Sequence, residues 1–136
     1  MSDFSPSQLP PAVASYFALL NADSLDGFAD LWHEDAELTA FGRDSRRTRT
    51  GRAKVLGYYD NLFAPWSVHH DQVLRVAVAN SAAITTATVE ILFTGTTHDG
   101  RPVTFDALDV FELEDGLIRR LAIWHDVLTT RGLLGL

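Results

Sequence analysis

The hydrophobic pattern of this chain changes period after Pro65, and that change constrains the fold more than any other feature. Before it, Val13, Tyr16, Phe17 and Leu20 follow the i, i+3, i+4, i+7 spacing of one helical face. After it, apolar residues alternate. Residues 68–79, 83–94, 103–114 and 117–127 read as four long strands, with turn signals at Asn80-Ser81, His98-Asp99-Gly100 and Glu114-Asp115-Gly116. Helices followed by a meander of strands predict an α+β domain. The expected architecture is a cone-shaped curved antiparallel sheet with three N-terminal helices enclosing an apolar pocket.

The N-terminal half supplies the expected helices. Residues 1–9 read as a loose lead-in, and 10–136 as a single domain. Pro10 and Pro11 suit a first helical turn, where a missing N–H costs nothing. Asp23 or Ser24 can cap a second short helix carrying Leu25, Phe28 and Trp32. Residues 36–41 read as a short strand and 43–52 as a polar, arginine-rich loop. Thr50 can cap a third helix with Val55, Tyr58, Tyr59 and Leu62 inward.

Two ionisable residues interrupt apolar faces of the strands. Odd positions from Val103 run Phe105, Ala107, Asp109, Phe111, Leu113, a stripe on one strand face. A carboxylate there must be hydrogen-bonded, protonated or facing a cavity. His125 enters the stripe Leu121, Ile123, Val127 in the same way. A three-residue loop at 114–116 puts Asp109 and His125 on one face, about 13 Å apart at four residues' offset. On the first of the four strands, His70 extends the stripe Leu74, Val76, Val78, and His69 points the other way.

Composition narrows the classes of function. With 136 residues the chain can bury a core without staples, and zero cysteines exclude disulfides and thiolate chemistry. A net charge of −7 argues against general binding to nucleic acid or anionic membranes. The N-terminus lacks a secretory pattern, so a cytoplasmic protein is expected. No histidine pair has metal-ligand spacing, so neither metal nor cofactor is expected.

The motifs Tyr16-Phe-Ala-Leu-Leu-Asn-Ala-Asp, Leu31-Trp-His-Glu-Asp-Ala-Glu-Leu, Gly51-Arg and Leu108-Asp-Val-Phe-Glu-Leu-Glu-Asp-Gly-Leu-Ile carry a family resemblance. From about Ala12 to Val127 the chain resembles the nuclear transport factor 2-like superfamily, in its SnoaL-like polyketide cyclase and ketosteroid isomerase-like branch. Tyr16 matches the oxyanion-hole tyrosine of the isomerases and Asp109 the protonated aspartic acid beside it, a device used elsewhere to keep an acid neutral. Tyr59 and Trp32 match aromatic positions supporting that network. The position of the isomerase base holds Ala40 or Thr39, neither of which takes a proton. His70 resembles in position a catalytic histidine of scytalone dehydratases. Ile123 stands where the cyclases carry an aspartate. Val89-Glu-Ile with Ile123 does not supply the Asp-Arg-Asp set of limonene epoxide hydrolases.

The resemblance implies a cofactor-free enzyme doing enolisation-type chemistry (isomerisation, cyclisation or dehydration) on an apolar, carbonyl-bearing, polyketide- or steroid-like substrate. Tyr16, Asp109, His125 and His70 are the candidate catalytic residues. Trp32, Tyr59, Phe111, Ile123, Leu121 and Val89 are the candidate substrate contacts. A non-catalytic binder of small hydrophobic molecules is the alternative. Leu92, Leu108, Val110 and Trp124, apolar on the face away from the stripes, imply a homodimer.

Overall fold

A computed structural model describes residues 8–41 and 46–125, with the Arg46 side chain set aside. Arg43, Asp126, Val127 and most of the lead-in lie outside the described residues. Helix α1 (Pro11–Asn21) starts at Pro10 and Pro11 and buries Val13, Tyr16, Phe17 and Leu20, the face its spacing predicts. Helix α2 spans Arg52–Tyr59 and buries Val55 and Tyr59. The strands are β1 (Trp32–Phe41), β2 (Arg46–Thr50), β3 (Trp66–Ser81), β4 (Ile84–Thr97), β5 (Pro102–Glu114) and β6 (Leu117–His125). Among the described residues no helix is long and apolar enough to cross a membrane.

Among the described residues two α-helices are present where three were expected. A 3-10 turn at Phe28–Leu31 replaces the second one. Gly27, at φ 76, stands in the left-handed region before that turn and stops a helix begun at Asp23 or Ser24 from propagating. Trp32 therefore opens β1 instead of closing a helix. Thr50 does not cap α2, because it pairs with Glu37 as the last residue of β2; Gly51 occupies the cap position. The arginine-rich segment is thus partly a strand. Short and charged, β2 ends the sheet in a form that resists pairing with another chain.

The sheet runs β2-β1-β6-β5-β4-β3. It is curved, unclosed and mixed, not wholly antiparallel, because β1 lies parallel to β6. Leu38 faces Leu121 there and Ala40 faces Ile123. This pairing joins the two ends of the domain and buries Leu38 and Leu121 completely.

Bulges reset which residues face the helices. In β3 the register slips between Trp66 and Val68 and again between Val73 and Arg75. The β3 residues opposite Thr97, Gly95, Phe93, Ile91 and Val89 of β4 are therefore Trp66, His69, Asp71, Val73 and Val76. An unbroken alternation would have given His70 in place of His69. A third slip, between Glu112 and Leu113, accompanies the β5–β6 turn. Glu114 pairs with Leu117, leaving a two-residue turn of Asp115 and Gly116 at φ 53 and 78 in place of the expected three-residue loop.

The core lies between the helices and the concave face. Tyr16, Phe28, Trp32 and Tyr59 form one aromatic cluster, with Tyr16 edge-on to Phe111 at 5.1 Å. A large side chain fully buried in this way contributes about 1.5–3 kcal/mol.

Candidate active site

A cavity of about 240 Å³ opens between the C-terminal half of α1, the end of α2 and the concave faces of β3–β6. Its wall is mostly apolar and aromatic, with Phe63, Trp66, Phe93 and Phe105 the large contributors. Among the described residues, five polar side chains besides Tyr58 reach it: Tyr16, His69, Asp71, Asp109 and His125.

Asp109 reaches the cavity because β5 alternates without interruption from Val103 to Phe111. Its cross-strand partners are Val89 and Ile123, and it is only 5% exposed. Burial among these apolar groups pushes its carboxyl well above the usual range, and the charge of Asp71 adds to the push. The acid is therefore a hydrogen-bond donor in waiting, not a fixed charge.

Tyr16 comes from α1. Its hydroxyl lies 2.9 Å from that of Tyr59, both within the core. Burial, then the proximity of Tyr59 and Asp109, holds the Tyr16 phenol well above its ordinary value. Tyr59 is raised chiefly by burial too. Both hydroxyls stay protonated, and each can accept from the other, so Tyr16 can direct its own proton at the cavity while Tyr59 donates to it. Tyr58 also lines the cavity, with the Arg49 guanidinium 5.0 Å above its ring. Burial pushes its phenol up to about 12.

The two candidate histidines fare differently. His125 lines the cavity, its ring 5.3 Å from Phe105. It stands across from Ala107, so it lies two residues, not four, along the strand from Ile123, the partner of Asp109. The slip near the turn brings the two residues closer than the 13 Å expected. On β3, the bulges turn His69 inward and His70 out. His70 is exposed, whereas the His69 side chain is 6% exposed, stacked 4.2 Å from Phe63 and with Nε2 3.3 Å from an Asp23 carboxylate oxygen.

The same bulges bring in Asp71, which sequence reading passed over. Its carboxyl is raised by burial, and the neighbouring His69 and His70 partly oppose that shift. The only available signal was its place two residues from His69, and that signal needs the bulge to be read. Of the expected substrate contacts, Ile123 lines the cavity. Trp32, Tyr59, Phe111, Leu121 and Val89 lie fully packed in the core behind it. Trp32 and Tyr59 follow from the resemblance and the other three from their strand face, and the helices cover that part of the face. Thr39 is buried and hydrogen-bonded to Thr48, and neither it nor Ala40 lines the cavity.

A curved mixed sheet folded around an apolar cavity, with helices closing one side, defines the nuclear transport factor 2-like class. The chain belongs to the SnoaL-like domain family, whose sequence pattern matches residues 13–121. Among solved structures it is similar to a protein from Jannaschia sp. CCS1 described as a SnoaL-like polyketide cyclase, at 18% identity and a TM-score of 0.77, over 98% of this chain and 97% of that one. A protein from Sinorhizobium meliloti described as a polyketide cyclase is 24% identical, with a TM-score of 0.68, over 89% of this chain and all of that one. TerC, co-crystallized with polyporic acid, is 15% identical with a TM-score of 0.76, over 97% of this chain and 100% of that one. A sequence search against curated proteins found no match.

Proposed function

We propose that the protein is a cofactor-independent enzyme that enolises a compact, apolar, carbonyl-bearing ring compound, in an isomerisation, cyclisation or dehydration. The observation that carries this reading is the meeting of Tyr16 and a neutral, buried Asp109 on the wall of one apolar cavity. Both are donors held in a water-poor site, where hydrogen bonds to a developing oxyanion gain the most. The substrate's carbonyl oxygen would lie against them and its rings against Phe93 and Phe105. His125, on the same wall, can carry a proton to or from the far part of the substrate. The cavity is smaller than the roughly 300–1,000 Å³ of sites for drug-sized ligands, which favours a small ring system over a steroid.

The test uses a ketone and its enolate mimic. The protein should exchange the acidic C1 protons of 2-tetralone in deuterated water, and 2-naphthol should bind more tightly than 2-tetralone. Tyr16→Phe and Asp109→Leu should lower the exchange rate more than they weaken ketone binding. Tight binding of both compounds with no exchange would make the protein a binder of small hydrophobic molecules instead.

The homodimer belongs to the same proposal. Leu108 and Trp124 are exposed on the convex face, Trp124 at 46%, with Phe41 stacked on its indole. A second copy covering these residues would remove the exposed Trp124 ring from water. A monomer by light scattering at micromolar concentration would refute it.

A further inference from the structure

Enolisation needs a base, and the following inference rests on the enolisation reading. The β1 position where the resembling isomerases carry one holds Ala40 or Thr39 here. The groups able to take a proton at the cavity wall are His69, Asp71 and His125. His69 is held on two sides, by the Phe63 ring and by Asp23. Asp71 is held differently: among the described residues its hydrogen bonds are made by its backbone.

β3 is the last strand of the sheet, so alternate residues aim N–H and C=O groups away from it with no strand to receive them. At Asp71 those groups meet the side chain of Asn21, the last residue of α1. The Asp71 N–H donates to Asn21 Oδ1 at 2.8 Å, and Asn21 Nδ2 donates to the Asp71 carbonyl at 2.9 Å. One amide thus substitutes for a neighbouring strand and fixes the peptide that carries Asp71. The carboxyl itself is left to face the cavity.

We propose that Asp71 is the general base of the reaction and that Asn21 is the positioning residue that aims it. The carboxylate takes a proton from the carbon beside the substrate carbonyl. The C–H electron pair becomes the C=C bond of the enolate, and the carbonyl π pair moves onto oxygen, where Tyr16 and Asp109 donate hydrogen bonds. The proton held by Asp71 returns to the same or another carbon, so no oxidant, reductant or co-reactant is consumed. The electrostatics divide the roles in the same sense. Asp71 is acted on by His69 and His70 from its own strand, and its charge in turn raises Asp109 on β5, Tyr16 on α1, and Tyr58 and Tyr59 on α2. Burial raises both carboxyls, but Asp109 is raised far more and lacks the histidines that pull Asp71 back. Asp71 gives up its proton first, leaving one base and one acid.

The experiment follows 2-tetralone exchange by NMR as a function of pH, alongside 2-naphthol binding by calorimetry. Asp71→Asn should slow exchange by about 100-fold or more and remove the acidic limb of the pH–rate profile, while 2-naphthol affinity stays within about threefold. Retained 2-naphthol binding reports an intact cavity. Asp71→Glu, which keeps a carboxylate, should recover part of the rate. Asn21→Ala should lower kcat by about tenfold with KM nearly unchanged and the acidic limb retained. Exchange that survives Asp71→Asn but disappears in His69→Ala or His125→Ala would overturn Asp71 alone. A wild-type protein that binds 2-naphthol and exchanges nothing would overturn the enolisation reading, and the base with it.

Discussion

The hydroxyl of Tyr16 on α1 and that of Tyr59 at the end of α2 lie 2.9 Å apart, buried, although the residues are 43 positions apart in the chain. Tyr16 lines the cavity and Tyr59 does not. Tyr59→Phe removes the buried partner of Tyr16 without removing the cavity donor. It should cost about 1–3 kcal/mol of stability in urea unfolding, the penalty for leaving a buried hydroxyl unpaired. Its effect on 2-tetralone exchange should be smaller than that of Tyr16→Phe. Equal losses of rate in the two variants would mean that Tyr59, not Tyr16, meets the substrate oxygen.

Asp109 should make the protein less stable as pH rises. Its folded pKa lies well above that of a free aspartate, because burial and the charge of Asp71 both oppose ionisation. The native state therefore binds more protons than the unfolded state between the two values. Its contribution is fully present below the unfolded pKa of about 3.9 and is lost as pH climbs toward the folded value. Asp109→Asn should remove this slope and be more stable than wild type at neutral pH, the gap closing on acidification. A wild-type Asp109 carboxyl that titrates near 4 by NMR would contradict both this and the oxyanion role.

The strands were readable and their registers were not. The alternation of β5 is uninterrupted, so Asp109 could be placed in the pocket from its neighbours alone. β3 alternates just as clearly, but the extra residue at Leu74 inverts parity on its N-terminal side, exchanging His70 for His69 and admitting Asp71. A bulge leaves no compositional trace here, because Leu74 reads like any other strand residue. β2 escaped for the opposite reason. Its residues Arg46-Arg-Thr-Arg-Thr form a strand only because β1 offers an edge. The parallel β1–β6 pair joins segments that no local pattern links.

The inversion of β3 can be checked with the adjacent histidines. His70 is exposed and faces away from the cavity, so His70→Ala should leave 2-naphthol binding within about twofold of wild type. His69→Ala removes the ring stacked on Phe63 and the partner of Asp23, opening the cavity wall. It should weaken 2-naphthol binding by about tenfold or more, a loss near 1.4 kcal/mol. The reverse ranking would restore unbroken alternation in β3 and remove Asp71 from the site.

The aromatic wall depends on a missing side chain at Gly95. A Cβ placed there would stand 2.7 Å from Cε3 of Trp66 and 3.0 Å from Cε1 of Phe93, both residues of the cavity. The first distance is shorter than such contacts ever are, so Gly95→Ala must displace the indole or the strand beneath it. Overpacking of this kind costs about 1–3 kcal/mol. Stability should fall by that amount, and 2-naphthol affinity should fall with it, because the displaced ring lines the binding space. Gly57→Ala is the matched comparison. It lies within α2 with nothing in contact range of an added Cβ, so the same change should stabilise the protein by up to about 1 kcal/mol and leave binding unaltered. If Gly95→Ala instead tracked Gly57→Ala in both measurements, Trp66 would not be packed against this glycine, and the aromatic wall drawn from it would have to be redrawn.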